Sequence, residues 1–477
     1  MFDYIQIPQG IWIASKWIYI LFITLTSIVV LLDNKGPIKT WAWLMVLIFV
    51  PVIGVVLYIL LGHYSQKERI ISKRQANLIK RQTLTANHCS EENTPLIYRS
   101  WTRLFLHTNQ SVPFANNGMT IFTTGQTKLN SLLEDIAEAK DHIHMQYYII
   151  ANDAVGIQVR DLLIQKAEAG IEVRVIYDDV GCWNVPKSFY EPMYKAGIEV
   201  RAFLKVRFPK FTSHINYRNH RKVVIIDGQI GYIGGMNLSQ RYIDGGHFGN
   251  WRDTHIRIVG SAAQGLQSSF LLDWYFVDRS ILTEKKYFPN PIIGGTVLMQ
   301  MVTSNPIYKW KEIHQGFVRL ITFSSEYVFM QTPYFIPSDE IVNAMQTAAL
   351  SGTIVELMIP EKGDNIITQL SSLFFLENLL EAGVKVYLYQ NGFLHAKMLV
   401  ADDTICTVGS ANIDHRSFDH NFEINAMIYD AEVSKQMREI FIEDKKSCRE
   451  LSLKEWKNRS KLDRLEQGIA RLFAPLL

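Results

Sequence analysis

Two short stretches of the chain repeat the same residue types at the same spacing. Each has a histidine, a lysine two positions later and an aspartate five positions after that lysine, followed by a pair of small residues and an asparagine. The interval from Lys222 to Asn237 equals the interval from Lys397 to Asn412. Two copies with matched offsets are a much stronger signal than one. The residues are His220, Lys222, Asp227, Gly235 and Asn237 in the first copy, and His395, Lys397, Asp402, Ser410 and Asn412 in the second.

This combination of side chains suits chemistry on a phosphodiester. Imidazoles can act as nucleophile, acid or base, while ammonium and amide groups can hold the non-bridging phosphate oxygens. Gly235 and Ser410 would let backbone N–H groups approach those oxygens, beside the amides of Asn237 and Asn412. We predict that one histidine attacks phosphorus and that the other protonates the leaving alcohol and later deprotonates the incoming one. This mechanism requires neither a metal ion nor an organic cofactor.

Four carboxylates lie within the two copies or after them. A catalytic histidine needs an acidic partner that orients its ring, and Asp253 and Glu423, which follow the two copies, are the candidates. Asp227 and Asp402 stand an odd number of residues after the lysine, so strand alternation turns them to the opposite face. That position predicts structural carboxylates that bond to the backbone or to a turn.

Other polar residues give weaker signals. His142 and His144 could present two metal ligands on one strand face, but no third ligand is apparent, so core packing is favoured. His415 and His420 either line the pocket or lie at the surface. A basic insertion before the first motif could rim the site, and it contains Lys205, Arg207, Lys210 and Arg218.

The elements that must position these residues alternate between helix and strand. From about residue 110 onward, apolar residues at helical spacing precede short strand-like runs, as in a helix predicted over 129–140 and a strand predicted over 142–150. Such alternation predicts an α/β fold with mixed sheets flanked by helices. The Val-Val-Ile-Ile run after Lys222 is typical of a strand buried on both faces.

The alternating pattern itself occurs twice. Ala-Gly-Ile-Glu-Val at 196–200 matches Ala-Gly-Val-Lys-Val at 382–386, and each match precedes one histidine motif. We therefore predict two similar domains, residues 113–285 and residues 286–435, related by a pseudo-two-fold axis and meeting at one shared site.

The N-terminal region is far more apolar than the rest. Residues 41–61 contain no charged side chain, and residues 11–32 are interrupted only by Lys16. Each stretch therefore has about the 20 residues that a helix needs to cross a bilayer. We predict a two-helix transmembrane hairpin over residues 1–64. A cleaved signal peptide followed by a core helix is less favoured, because no small-residue cleavage site follows the first stretch.

Charged residues beside the hairpin predict its orientation. A linker over residues 65–112 begins with many lysines and arginines, whereas the loop 33–40 has only two lysines. The positive-inside rule therefore places the long C-terminal part in the cytoplasm. The same cations could also attract anionic lipid headgroups, although a plain topology signal explains them equally well. Residues 436–477 predict an amphipathic tail, whose apolar stripe either lies in the membrane interface or packs on the domain.

The composition excludes several classes of protein. Hydrophobic residues make up 48% and charged residues 20%, which excludes a disordered or fibrous chain. With 49 lysines and arginines against 46 acidic residues, the chain is too close to neutral for a dedicated nucleic-acid binder. The four cysteines lie far apart, which predicts neither a disulfide framework nor a thiolate zinc site.

The duplicated motif resembles the phospholipase D superfamily across residues 120–430. The N-terminal hairpin, especially Thr40–Leu44 and Pro51–Gly54, is similar to that of bacterial cardiolipin synthases. The residues around both histidines and the C-terminal sequence Arg471–Leu477 share this similarity. The resemblance covers nearly the whole chain.

The resemblance implies condensation of two phosphatidylglycerols into cardiolipin and glycerol at the inner face of a bacterial cell membrane. A membrane-anchored phospholipase D that hydrolyses phospholipids to phosphatidic acid is the alternative, since both reactions pass through the same intermediate. A nuclease is disfavoured by the hairpin, and a catalytically dead scaffold by the intact motifs. The oligomeric state stays open. By resemblance, the active-site set is His220, Lys222, Asp227, His395, Lys397 and Asp402.

Overall fold

The N-terminal helices form a compact unit separate from the rest of the described chain. The computed structural model describes residues 9–32, 37–58, 79, 89–206 and 217–474. The N-terminal helices are α1 (Gln9–Leu32), α2 (Pro37–Phe49) and α3 (Pro51–Leu57).

A small apolar cluster holds these three helices together, and it consists of Val30, Leu47, Val55 and Tyr58. Most of their other large apolar side chains are exposed, among them Trp17, Leu32 and Phe49. Among the residues described, no helix has the length and apolarity needed to cross a bilayer. Part of the predicted hairpin, including the loop 33–36, lies outside the described residues.

The second unit is built on strands from both sequence repeats. In the first half the strands are β1 (Pro113–Phe122), β2 (His142–Tyr147), β3 (Glu172–Asp178), β4 (Glu199–Phe203), β5 (Arg218–Asn219), β6 (Val223–Ile226), β7 (Ile230–Gly234), β8 (Trp251–Arg252) and β9 (His255–Val259). In the second half they are β10 (Val297–Ser304), β11 (Tyr327–Gln331), β12 (Phe335–Ile336), β13 (Ile354–Pro360), β14 (Lys385–Tyr389), β15 (Phe393–Leu394), β16 (Met398–Ala401), β17 (Ile405–Gly409), β18 (Ile413–Asp414), β19 (Asn421–Tyr429) and β20 (Cys448–Leu451).

One mixed sheet of sixteen strands runs through both halves, in the order β20-β14-β13-β11-β16-β17-β19-β10-β1-β9-β7-β6-β2-β3-β4, with β5 attached to β19. In each half three parallel strands are followed by antiparallel ones, so the predicted repeat is confirmed. The two halves join where β1 pairs with β10 antiparallel, Pro113 opposite Gln300. The predicted domains therefore share one continuous sheet, because each half would otherwise leave an open edge at this junction.

Helices cover this sheet. They are α4 (Leu96–Asn109), α5 (Gly125–Glu138), α6 (Ala154–Glu168), α7 (Lys187–Lys195), α8 (Arg241–Asp244), α9 (Ala262–Asp278), α10 (Glu312–Phe323), α11 (Asp339–Leu350), α12 (Ile366–Phe374), α13 (Leu376–Glu381), α14 (His415–Asp419), α15 (Ala431–Lys445), α16 (Leu453–Lys457) and α17 (Lys461–Arg471). The longest, α9, buries Phe270 and Trp274 and packs against strands of both halves, so it bridges their junction.

Two predicted boundaries differ from the structure. The helix predicted from residue 129 begins at Gly125, because Thr124 caps it by accepting the backbone N–H of Thr127. The end of the predicted linker 65–112 is helix α4, whose Trp101 and Phe105 are spaced four residues apart and buried in the core. Most of the rest of that linker lies outside the described residues.

The C-terminal region is more than an amphipathic tail. Met437 and Phe441 of α15 are buried in the core, and β20 extends the sheet beyond β14. Helix α17 packs on α12, where the Ser371 hydroxyl donates to the carbonyl of Ala470 at 2.8 Å. It also keeps an apolar stripe exposed, made of Leu462, Leu465, Ile469 and Leu472.

Candidate active site

The two motif histidines line one cavity of about 370 Å³. Each is held by a short strand pair that crosses between the halves: β5 pairs with β19, and β15 pairs with β8. The backbone N–H of His220 donates to the carbonyl of Phe422 at 3.0 Å, and that of His395 to the carbonyl of Arg252 at 2.7 Å. The structure therefore brings residues 175 positions apart (395 − 220) into one site.

The histidine and lysine of each motif do not lie on one regular strand. His220 and Lys222 fall in the break between β5 and β6, and His395 and Lys397 in the break between β15 and β16. The reason is topological. Strand β5 pairs with the opposite half, whereas β6 pairs with β2 of its own half, so the chain must leave one partner to reach the other.

Each histidine is oriented by a carboxylate from the opposite half. Nδ1 of His220 lies 3.1 and 3.2 Å from the two carboxylate oxygens of Glu423. Nδ1 of His395 lies 2.6 Å from Oδ2 of Asp253. Because an ionised carboxylate only accepts, Nδ1 carries the proton in both rings, and Nε2 is the nitrogen that can meet a substrate.

Burial governs the protonation of these four groups. Burial lowers the pKa of His220, and it lowers the pKa of His395 well below the usual value, together with the nearby lysine charges. Burial raises the pKa of Asp253 to about 6. Burial acts on Glu423 in the same sense, but the interaction with the His220 ring and the hydrogen bond from Ser410 outweigh it and hold the pKa of Glu423 below its usual value. At neutral pH the site thus has two ionised carboxylates behind two neutral imidazoles.

The two motif lysines are buried beneath the histidines. Nζ of Lys222 donates to the carbonyl of His220 at 2.5 Å, and Nζ of Lys397 lies 2.9 Å from Nδ1 of His395. Burial lowers the pKa of Lys397 to about 8, and that of Lys222 well below its usual value. Both amino groups therefore lie directly behind the cavity wall, where burial favours their neutral form.

Both motif asparagines line the cavity. Asn237 is held in place because Oδ1 accepts from the backbone N–H of Ile149 at 3.1 Å and Nδ2 donates to the hydroxyl of Tyr242 at 2.8 Å. Asn412 donates from Nδ2 to Asp414 at 2.9 Å. Its buried Oδ1 has no hydrogen-bond partner within the described part of the chain.

Gly235 and Ser410 differ from the expected phosphate-binding turns. Their backbone N–H groups already donate, to the carbonyls of Thr254 and Ile424. A side chain at position 235 would come within 2.2 Å of the Asp253 carboxylate. The Ser410 hydroxyl donates to Glu423. The small residues therefore make room for the carboxylates that orient the histidines, and we no longer assign them to phosphate.

Asp227 and Asp402 lie away from the cavity. Each accepts three consecutive backbone N–H groups, those of residues 140–142 and 325–327 respectively, at 2.7 to 3.0 Å. Each has a positive φ, 52° and 50°, which aspartate tolerates better than most residues. These bonds hold the turns that lead into β2 and β11, as strand alternation predicts. Neither aspartate lines the cavity, so no contact in the structure supports the active-site role that the resemblance implies.

His142 and His144, considered above as metal ligands, are core residues. His142 and His144 are buried and share the amide of Gln267, so they pack in the core. Within the described residues, no group of three potential metal ligands occurs. Near the second motif, Arg416 and Asn421 line the cavity rather than His415 and His420.

Sequence reasoning missed a pair of arginines that line the cavity. Arg241 and Arg416 each stand four residues after a motif asparagine. That equal offset is a signal that could have identified them. Arg218, grouped above only with the basic insertion, also lines the cavity.

Aromatic rings complete the wall. The ring of Tyr148 lies 5.0 Å from that of His220. Around His395 are Trp251 at 5.6 Å, Tyr242 at 6.1 Å and Tyr334 at 6.5 Å. None of these rings was predicted, because a single aromatic residue has no spacing that distinguishes it from core.

Comparison with known proteins places this site in a family. Residues 132–268 and 317–445 match the family model described as "Cardiolipin synthase, PLD-like domain". A cardiolipin synthase of Oceanobacillus iheyensis is 39% identical over 469 residues, which covers 96% of this chain and 98% of the relative. The chain belongs to the bacterial cardiolipin synthases of the phospholipase D superfamily. As a member, it is a phosphatidyltransferase of phospholipid biosynthesis.

Further relatives agree with this membership. The major cardiolipin synthase of Bacillus subtilis is 39% identical over 476 residues, which cover 96% of this chain and 98% of the relative. A cardiolipin synthase of Staphylococcus aureus is 38% identical over 471 residues, which cover 96% of this chain and 95% of the relative. Residues 17–63 match the "Phospholipase_D-nuclease N-terminal" family, which indicates a membrane-associated protein.

A solved structure shares the fold of this chain. The phosphatidylserine synthase of Haemophilus influenzae aligns with a TM-score of 0.60 at 13% identity, over 79% of this chain and 99% of that one. At this identity the likeness concerns the fold alone.

Proposed function

We propose that this protein transfers a phosphatidyl group from one phosphatidylglycerol to another through a covalent phosphohistidine, yielding cardiolipin and glycerol. One observation carries the proposal: two neutral imidazoles, each oriented by a carboxylate from the opposite half, line a single cavity. A nucleophile and an acid on opposite sides of one phosphorus atom are what a double displacement requires.

In the first step, Nε2 of one histidine attacks phosphorus. A nitrogen–phosphorus bond forms and the bond to the glycerol headgroup oxygen breaks, while the other histidine gives its proton to that oxygen. The anionic phosphodiester raises the pKa of the imidazole nearest to it, which supplies the protonated acid. Free glycerol leaves.

In the second step, the histidine that acted as acid becomes the base. It takes the proton from a glycerol hydroxyl of the second phosphatidylglycerol, whose oxygen attacks phosphorus. The nitrogen–phosphorus bond breaks and its electron pair returns to the imidazole, so the enzyme regains its starting state.

Fixed groups around the cavity stabilise the pentavalent transition state at phosphorus. Lys222 and Lys397 place two amino groups behind the cavity wall, and the anionic phosphate favours their charged form. Asn237 and Asn412 present amides on the wall itself. Because these groups are held by hydrogen bonds before substrate enters, little reorganisation is needed as negative charge grows on the phosphoryl oxygens.

The product profile tests this proposal. Full-length protein in phosphatidylglycerol vesicles containing EDTA should form cardiolipin and release an equal amount of glycerol. His220→Ala and His395→Ala should each abolish both products, while Leu350→Ala, an exposed side chain on α11, should leave them unchanged. Formation of phosphatidic acid without cardiolipin would contradict the proposal and favour hydrolysis.

We also propose that the protein is held in the cell membrane by an N-terminal hairpin, with the catalytic unit in the cytoplasm. Two uncharged or nearly uncharged stretches of bilayer length, the match over residues 17–63 and the exposed apolar side chains of α1–α3 support this arrangement. The cationic stretch after the second span supports the orientation.

The exposed stripe on α17 fits the same arrangement. Helix α17 packs on α12, and Thr368 of α12 lines the cavity. Lys461, Arg464 and Arg471 flank the stripe with positive charge. We propose that the stripe lies in the lipid interface beside the cavity, where a headgroup must enter.

A further inference from the structure

The two ends of the cavity differ although the two histidines are equivalent. Two residues before each motif histidine, the first half has Arg218 and the second has Phe393. Two residues before each orienting carboxylate, the first half has Trp251 and the second has Asn421. Because the strand pairs cross between the halves, Arg218 pairs with Asn421 beside His220. Beside His395, the rings of Phe393 and Trp251 pack together with their centres 4.7 Å apart. One end is thus polar and cationic, and the other is aromatic.

Arg416 adds a second guanidinium to the polar end. It is half-buried on α14 and lines the cavity with Arg218. The ring of Tyr148 lies 5.0 Å from that of His220. Burial raises the pKa of Tyr148, and the charges of both arginines oppose this rise. Within the described part of the chain, the Arg416 side chain makes no ion pair with an acidic side chain.

Arg241 is the counterpart of Arg416 at the other end, and its surroundings differ. Its guanidinium lies over the Trp251 ring at 5.0 Å. Two carboxylates, Asp364 and Asp414, line the cavity and act electrostatically on Lys397 near His395. Among the residues that the structure describes, paired guanidiniums therefore line the cavity at the end near His220 and not at the end near His395.

Asp178 is a carboxylate that lies beside Arg218 at this end of the cavity. Its Oδ1 lies 3.7 Å from Nη1 of Arg218, while its two oxygens already accept the backbone N–H groups of Val180, Gly181 and Asn219. Two guanidiniums that share a partly buried cavity repel each other, and a bound anion would relieve that repulsion.

The phosphoryl group that reacts already has its own partners. Two histidines, two lysines and two asparagines surround it, so the arginine pair is additional to what one phosphate needs. Cardiolipin has two phosphodiesters joined by one glycerol, which requires a second phosphate to lie close to the first when the product forms.

We propose that Arg218 and Arg416 form a second anion subsite that binds the phosphodiester of the acceptor phospholipid. This inference rests on the proposed function, because only a phosphatidylglycerol acceptor brings a second phosphate. It explains how the enzyme selects an anionic lipid alcohol over water or free glycerol, neither of which has a group for this subsite.

The experiment compares two acceptors in one reaction. Full-length protein in phosphatidylglycerol vesicles with radiolabelled glycerol should form cardiolipin, and it should also exchange labelled glycerol into phosphatidylglycerol. Both products come from the same phosphoenzyme, but only cardiolipin formation uses a second phosphate. The ratio of cardiolipin to labelled phosphatidylglycerol therefore reports on the subsite, and a misfolded fraction cancels out of it.

We expect Arg416→Gln to lower this ratio about tenfold or more, since a charge-assisted hydrogen bond to phosphate is lost. Arg416→Lys should restore much of it, because the charge is kept while the two-pronged geometry is lost. Arg241→Gln is the matched control, and it should change the ratio by less than about twofold because its charge lies at the other end.

An unchanged ratio in Arg416→Gln would overturn the proposal. An equal fall in Arg241→Gln would also overturn it, because the effect would then belong to cavity charge in general. Wild-type protein that exchanges glycerol but forms no cardiolipin would instead contradict the proposed function, so the two failures are distinguishable.

Discussion

At the scale of residues, the ionisation of Asp253 and Lys397 sets the pH range in which the site is active. Asp253 must be ionised to accept from Nδ1 of His395, and burial raises its pKa to about 6. Lys397 must be protonated to stabilise the phosphoryl oxygens, and burial lowers its pKa to about 8. Both shifts narrow the range of pH in which both groups are charged.

We therefore expect a bell-shaped pH dependence of kcat/KM. Activity should fall as the pH drops through about 6, when Asp253 gains a proton, and as it rises through about 8, when Lys397 loses one. The rate of cardiolipin formation at fixed vesicle composition and high salt measures this. Because burial lowers the pKa of Lys222 as well, the alkaline limb should move upward in the double variant Lys222→Arg, Lys397→Arg, in which guanidinium stays charged at both positions. A profile that is flat from about pH 5 to about pH 9 would contradict these assignments.

The motif aspartates give a different prediction because they bond to turns. Asp227→Ala removes an acceptor from three backbone N–H groups. We expect it to lower the free energy of unfolding by about 2 to 4 kcal/mol, as for hydrogen bonds to a charged acceptor. Urea denaturation measures the loss, with Asp244→Ala, an acidic residue on the short helix α8, as control. A fully stable but inactive Asp227→Ala would indicate direct catalysis instead.

Residue types were predictable from the sequence to a large extent, but their partners were not. The two histidines, lysines and asparagines follow from the repeated spacing, and the two orienting carboxylates follow from the need of each histidine for an acidic partner. The crossing of Glu423 to His220 and of Asp253 to His395 does not, because it depends on how the halves pair. The assignment of Gly235 and Ser410 to phosphate binding was wrong. A small residue makes room equally well for a ligand and for a neighbouring carboxylate, so the sequence does not distinguish the two.

At the scale of elements, two very short strand pairs do most of the positioning. Strands β5, β8 and β15 have two residues each, too few to show any periodicity, so no sequence pattern predicts them. Longer elements are predicted well, as for α5 and β2. The ends of these elements are predicted less well. A capping residue such as Thr124, rather than the spacing of apolar residues, decides where a helix begins.

Helix α17 carries the prediction at this scale. A fluorophore on a cysteine at position 465 should be quenched by brominated lipid in vesicles containing phosphatidylglycerol, because the exposed stripe lies among acyl chains. The control is position 350, which is also exposed but lies just before β13 begins, whereas the cavity residue Asp364 follows the other end of that strand. Serines at Cys89 and Cys448 remove the partly exposed native thiols. Equal quenching at both positions would contradict an interfacial α17.

At the scale of the whole molecule, duplication and pairing together produce one site. The repeat predicted two halves, and the structure confirms it. That they share a sheet through β1 and β10 was not predictable, because an open edge can pair with any complementary strand. The junction matters for function: it holds the halves in one register, so that each supplies the carboxylate for the other's histidine.

The central claim is that both halves act on a single phosphorus atom. Rapid quenching of full-length protein with phosphatidylglycerol, followed by peptide mass spectrometry, tests it most directly. We predict at most one phosphatidyl group per chain, attached to His220 or to His395, and none when both are replaced by alanine. Chains that carry the group on both histidines at once would contradict the claim, because two separate sites would then be at work.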